Sequence, residues 1–363
     1  MKALDDAGTA PALAPETFQD GLYFGLDEDR YHTDPALGSS DLKRLATGPA
    51  EYWFASRLNP DREPQETTPA QLLGKAVHRL VLEGEQSFAA AFERYPEGDD
   101  LLRTADDLGA WLKAKGDKPP ALKAARVSLV KAWCEQTGED PPRILDAILA
   151  EAEADGRAVL KGPDFDRIRA AAGSVLANPH LAQSFTGGAP EVSLFWTDEV
   201  DGEPVRRKAR FDYLKPRAIV DLKSISTSRR GRFPALCRRA LAEWDYPVQA
   251  AAYLQARARL PEMVAAGRVF GDHDPAWLAR VAAAEAHAFV FVFWASGPAP
   301  LTWGGTLSPG NPVLDVAGTT VRDALWTYVA ARRAHGLDRP WVEHEPLDEI
   351  DLDHLPRWWG EAR

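Results

Sequence analysis

Apolar residues recur at helical spacing through the first half of the chain and change to strand-like runs near residue 191. Residues 1–20 mix Pro, Ala and Asp without a period and read as a flexible N-terminal tail. Gly38-Ser39-Ser40-Asp41 has the composition of a helix start, with Leu42 and Leu45 carrying the apolar face towards Tyr52 and Trp53. Asn59 to Thr67 is polar and contains Pro, hence a loop. Thr68 is placed to cap the next helix and Pro69 suits its first turn. Leu72, Leu73, Val77, Leu80 and Val81 follow at helical spacing, and Gly84 suits the stop. Residues 95–140 are charged and weakly helical, and residues 143–185 read as further helices broken near Asp155-Gly156 and Gly162-Pro163.

Glu191 to Trp196 is strand-like, Asp201-Gly202 is a hairpin turn, and Val205 to Leu214 is a second strand, basic on one face. Lys215-Pro216-Arg217 makes a tight turn into a third, apolar strand, Ala218 to Lys223. Helices return over 234–242 and 244–256. Phe289 to Trp294 is a last strand, too apolar for a sheet edge, and 315–336 is a closing helix. Helices, a three-strand meander, a helix and another strand predict an α/β core, a mixed central sheet flanked by helices. The expected organisation is one domain over 21–363, with insertions near 95–140 and 262–287.

The chain has 363 residues, 45% hydrophobic and 27% charged, which excludes a disordered polyampholyte. Two cysteines, Cys134 and Cys237, exclude a disulfide framework, a four-cysteine zinc site and a four-cysteine iron–sulfur cluster on this chain. The acidic N-terminus lacks a signal-peptide pattern and no apolar run is long enough to span a bilayer, so no membrane partner and a reducing cytoplasmic setting are expected. A net charge of −11 argues against a polyanion, but its distribution changes the picture. Between Glu203 and Ala240 stand twelve bases and three acids. Such a basic band on an acidic body can guide nucleic acid, or can be a solvated face laced with salt bridges.

Candidate chemistry sits in the meander. Asp221 and Lys223 are two apart on one strand and so share a face, while Leu222 points to the core. By itself an Asp-x-Lys tripeptide is commonly a surface ion pair. The tight turn at Pro216, however, brings residue 212 opposite 220 or 221, so Asp212 can approach Asp221 across the hairpin. Opposed carboxylates are unfavourable unless a cation lies between them, and Mg²⁺ takes one or two carboxylates with water and phosphate for the rest. Glu191 could add a third carboxylate, though an exposed strand-start glutamate fits the spacing nearly as well. Gln249 and Tyr253 are i and i+4 on one helix face, able to hydrogen-bond a phosphate or simply to line a helix surface. His78 follows Gly74 by one turn, where the missing side chain would permit close approach. Trp358 and Trp359 read as a packing anchor.

These elements occur together in an order that resembles the nuclease domain of the exodeoxyribonuclease VIII (RecE) family, in the PD-(D/E)XK superfamily with RecB-type nucleases and lambda exonuclease. Tyr31 to Ala36, Ser39 to Lys43 and Gly48 to Trp53 resemble its N-terminal signature. Gly74 to Glu83 is similar to its histidine motif. Pro190 to Trp196, Arg210-Phe211-Asp212, Asp221-Leu222-Lys223 and Gln249 to Tyr253 complete the set, over roughly 20–359. The resemblance implies that Asp212 and Asp221 bind Mg²⁺ or Mn²⁺, with His78 and Glu191 assisting at the metal and phosphate. It implies that Lys223 orients or activates water, and that Gln249 and Tyr253 support the DNA backbone, a role to which the basic band adds Arg206, Arg207, Arg210, Arg229 and Arg230. It further implies a processive 5′→3′ exonuclease on double-stranded DNA ends, in a homo-oligomeric ring, working with a single-strand annealing protein in phage-type recombination. Phe211 stands where a Gly or Pro often precedes the first aspartate, which puts the local strand geometry in question. An endonuclease or helicase-tethered nuclease on the same core, and a catalytically inactive DNA-binding module, are the rival expectations.

Overall fold

The computed structural model describes residues 16–63, 68–344, 346–355 and 359. The strands are β1 (Gly21–Tyr23), β2 (Phe92–Arg94), β3 (Ala158–Leu160), β4 (Ala189–Val200), β5 (Glu203–Lys215), β6 (Ala218–Ile225), β7 (Val269–Phe270), β8 (Ala288–Ala295) and β9 (Thr302–Leu307). All but β2 and β3 form one seven-stranded sheet in the order β7-β1-β4-β5-β6-β8-β9. It is mostly antiparallel; β1 with β7 and β6 with β8 are its parallel pairs.

The helices α1 (Glu28–Thr33), α2 (Ser39–Thr47) and α3 (Pro49–Ala55) follow β1. Next come α4 (Pro69–Leu82) and α5 (Glu85–Ala91), then α6 (Ala105–Ala114), α7 (Lys123–Thr137), α8 (Leu145–Ala154) and α9 (Gly162–Ala177). Helices α10 (Phe233–Glu243) and α11 (Tyr246–Ala265) carry the chain from β6 over the sheet. Helix α12 (Pro275–Ala283) precedes β8, and α13 (Pro312–His335) follows β9. One face of the sheet packs on α2, α3, α11 and α13, and the other on α4 and α9. Strand β8 is buried on both faces: Phe289, Phe291 and Phe293 join the first core and Val292 and Trp294 the second. That two-sided burial is why its sequence is a continuous apolar run.

Thr68 and Gln71 form a reciprocal capping box, so the start of α4 is fixed as the sequence predicts. Burial of Val77 and Val81 then sets the helix rotation that turns His78 towards β6. Residues 95–140 form, with Ile144, a satellite core around Leu108, Leu112 and Val130. The 262–287 segment holds the end of α11, the edge strand β7 and α12, whose Trp277, Leu278 and Val281 are buried in the main core. Of the tail read over 1–20, residues 1–15 lie outside the described residues, and Phe18 is buried, stacked on Phe195 with centroids 5.0 Å apart. Part of the 59–67 loop and Trp358 also lie outside the described residues, while Trp359 is half exposed. Both cysteines are buried and free. Among the described residues no helix is long and apolar enough to cross a membrane.

Candidate active site

The hairpin register settles the relation of the acids. Tyr213 pairs with Val220, which sets Asp212 opposite Asp221, and Pro190 and Val192 pair with Tyr213 and Phe211, which sets Glu191 opposite Asp212. Glu191, Asp212 and Asp221 thus form one row across three neighbouring strands. Regular alternation is interrupted there: Phe211 and Leu214 join the core under α11 while Tyr213 joins the core under α4, and Glu191 has φ 52°. Such local breaks re-aim side chains next to functional sites. The departure at Phe211 removes no ligand; its buried ring packs edge-on against Tyr253, with centroids 5.6 Å apart.

Asp221 is 1% exposed. Its Oδ1 accepts hydrogen bonds from Lys223 Nζ and from Gln249 Nε2, each at 2.8 Å. Its Oδ2 is buried as well, ion-paired with Lys223 Nζ at 2.7 Å, so the ammonium faces both carboxylate oxygens. Burial pushes the Asp221 carboxyl up to about 6, with Lys223 pulling it back and Asp212 adding to the rise. Burial opposes the Lys223 ammonium, but Asp221 and Asp212 outweigh it and hold its pKa above the ordinary lysine value. Asp212 Oδ2 accepts from the Leu222 amide at 2.8 Å. His78 Nε2 donates to the Leu222 carbonyl at 2.7 Å, which turns Nδ1 to Asp212 at 3.8 Å. Glu191 accepts from Arg210 Nε at 2.6 Å. Burial first, then the Asp212 charge, pushes its carboxyl up to about 7. Tyr253 is buried, and burial with the two aspartates pushes its hydroxyl up to about 12.

Glu191, Asp212, His78, Arg210 and Tyr253 line one cleft of about 1290 Å³. A Cβ at Gly74 would meet open space, so the near approach expected there is not made by this chain; the glycine borders the cleft. Gln249 and Tyr253 are both buried, so neither is helix surface, and Gln249 positions Asp221 rather than reaching outward.

The basic band is mostly spent inside the protein, which corrects the expectation for two of its residues. Arg207 is 2% exposed, bonded to Asp198 and Gln255, with its guanidinium 4.8 Å from the Trp196 ring centre, and cannot meet DNA. Arg206 is committed to Asp34 and the Phe18 carbonyl. Arg210 faces the cleft, while Arg229 is exposed and paired with Glu243, and Arg230 is exposed. Two residues that sequence spacing did not single out belong to the site's rim. Tyr246 lies under Lys223 Nζ at 5.3 Å from the ring centre and under Lys43 Nζ at 5.5 Å. No local pattern marks them, because α2 and α11 meet only in the folded chain.

The donor set fits a hard cation on an oxygen pair. Two carboxylates set opposite each other, one of them buried, with one ammonium shared between their fields, form a charge arrangement that a divalent ion would relieve. Asp212 and Asp221 are the residues that could hold it. Among the described residues no three His, Cys, Asp or Glu side chains stand as a formed cage. Of the other two residues expected at the metal, Glu191 is engaged by Arg210, while His78, held by Nε2 on the Leu222 carbonyl, keeps Nδ1 turned towards Asp212.

A mixed sheet flanked by helices, with this row of acids and a lysine two residues beyond the last, defines a PD-(D/E)XK-like domain. The chain belongs to the family described as a PDDEXK-like domain of unknown function (DUF3799), whose model matches residues 38–263. No curated protein matches it. Among solved structures, a candidate exonuclease from Eubacterium rectale is similar with a TM-score of 0.43 and 13% identity, over 85% of this chain and 88% of that one. A structure named SSO0001 is similar with a TM-score of 0.25 and 14% identity, over 71% and 84% of the two chains. Neither is close enough to bear on the site.

Proposed function

We propose that this chain is a divalent-metal-dependent nuclease that hydrolyses phosphodiester bonds of DNA. The observation that carries the reading is the buried Asp221 carboxylate, ion-paired with Lys223 at 2.7 Å and set across the hairpin from Asp212. Mg²⁺ or Mn²⁺, when bound, polarises the scissile phosphate and lowers the pKa of a bound water. The chain's own residues do the rest by placement and charge. Gln249 and Lys223 hold the Asp221 carboxylate in place opposite Asp212. Lys223, kept charged by the two aspartates, orients the attacking water and offsets phosphate charge. His78 ties α4 to β6 at Leu222 and faces Asp212, fixing the hairpin that carries both acids. Arg210, which borders the cleft while bonded to Glu191, Ser193 and the Leu26 carbonyl, and Tyr253 on the cleft wall are the proposed supports of the DNA backbone.

The finer reading follows the likeness to the exodeoxyribonuclease VIII family: an exonuclease on duplex ends, 5′→3′, homo-oligomeric, with a strand-annealing partner in phage-type recombination. Digestion of 5′- and 3′-labelled linear duplexes, beside a covalently closed circle, in Mg²⁺ and in chelator, tests both levels. The expected result is metal-dependent loss of the 5′ label first, an intact circle, and no cutting by Lys223→Ala or Asp221→Asn. Full activity of folded Lys223→Ala overturns the nuclease assignment, and cutting of the circle overturns the exonuclease one.

A further inference from the structure

Lys43, on α2, is half-buried and aimed at the same end of β6 as the acids. Among the described residues its ammonium makes one hydrogen bond, to the Trp244 carbonyl at 3.1 Å, and no ion pair. It lies over the Tyr246 ring that also faces Lys223, and the two ammonium charges act on each other. Lys223 is ion-paired with Asp221, while Lys43 retains two N–H donors without a hydrogen-bond partner among the described residues. Asp221 and Asp212 are engaged with Lys223, and Asp245 and Asp221 act on Lys43 through space without an ion pair, which leaves the Lys43 ammonium open to a bound anion. A lysine kept only for solubility would swing away into water at little cost; this one is packed against an aromatic ring instead. Trp244, whose carbonyl receives Lys43, is 60% exposed. Asp245 follows with φ 46°, the turn that sends the chain into α11 and leaves the indole at the surface of that corner.

We infer that Lys43 and Trp244 form a nucleotide subsite beside the row of acids, Lys43 gripping one phosphate of the bound DNA strand together with Lys223, and Trp244 stacking on the adjacent base. The inference rests on the nuclease reading and extends it to how the strand is held. A phosphate suits it because an ammonium pair supplies charge without bidentate geometry, and a base suits it because an exposed indole offers a stacking face to any base.

The test compares wild type with Lys43→Gln, Lys43→Arg and Trp244→Ala. Fluorescence anisotropy with a fluorescein-labelled duplex carrying a short single-stranded overhang is measured in EDTA across a salt series, beside steady-state cleavage in Mg²⁺. Lys43→Gln is expected to lower the salt slope of binding by about one and to raise KM several-fold with kcat within about twofold, and Lys43→Arg to restore both. Trp244→Ala is expected to weaken binding several-fold at unchanged salt slope. Wild-type slope and affinity in folded Lys43→Gln overturn the subsite, as does a binding loss that only tracks a fall in melting temperature. A wild-type protein that never cuts overturns the nuclease reading instead, and the binding arm still decides on Lys43.

Discussion

Replacing Arg207 by Met separates the two readings of the basic band. If Arg207 were part of a DNA-facing stripe, its loss would cost about 0–1 kcal/mol of stability and would weaken DNA binding. Its side chain is instead 2% exposed and bonded to Asp198 Oδ2 at 2.8 Å and to Gln255 at 2.9 Å. Breaking a buried pair costs roughly 3–5 kcal/mol because a charge is left uncompensated. Here Asp198 keeps Arg259 at 2.6 Å and the Trp196 indole N–H at 3.0 Å, so the lower end of that range applies. Loss of the desolvated contact with Trp196 adds about 1–2 kcal/mol. Arg207 Nε and Nη2 are buried without hydrogen bonds, and removing them returns about 1–3 kcal/mol. The net expectation is a loss of about 1–4 kcal/mol. Urea unfolding followed by tryptophan fluorescence reads it, with the exposed Arg230→Met as control. DNA affinity per folded molecule should stay within about twofold of wild type. A cost below about 1 kcal/mol together with a binding loss matching that of Arg230→Met would refute the buried assignment.

Three further outcomes are expected. Gln249→Ala removes one of the two donors on Asp221 Oδ1 and should lower kcat by about 10–100-fold while the circular dichroism spectrum is unchanged; an active variant would show that the Gln249 contact is incidental. Mg²⁺ at about 100 times its Kd should raise stability of the wild type by about 2.7 kcal/mol and that of Asp221→Asn far less, read as melting temperature against metal concentration; equal shifts in both would move the metal elsewhere. His32 Nε2 at 3.8 Å, with Lys75 Nζ at 3.1 Å, holds the Glu28 carboxyl down at about 2. A depressed carboxylate stabilises the fold above its ordinary value of 4.5 and loses that contribution as pH falls towards 2, so wild type should lose more stability over that window than Glu28→Gln; parallel curves would discount the contact.

Local chemistry was enough for some of this protein. The capped start of α4, the hairpin turns, the meander and the double-sided burial of β8 are written in short-range pattern, because caps, turns and alternation act over a few residues. The short turn at Pro216 likewise set Asp212 opposite Asp221, since a hairpin's register follows from its loop. The edge strands β1, β7 and β9 carry little pattern of their own and exist only because β4 and β8 offer them backbone partners. Charge was misleading along the chain: Arg206 and Arg207 look like the exposed Arg229 and Arg230, and only the fold ties Arg206 to Asp34 and buries Arg207 against Asp198 and Trp196. Burial decided the site in the same way. A tripeptide cannot reveal that Asp221 is buried with its carboxylate held by Gln249 as well as Lys223, because that depends on Gln249, His78, Tyr246 and Lys43 arriving from three separate helices.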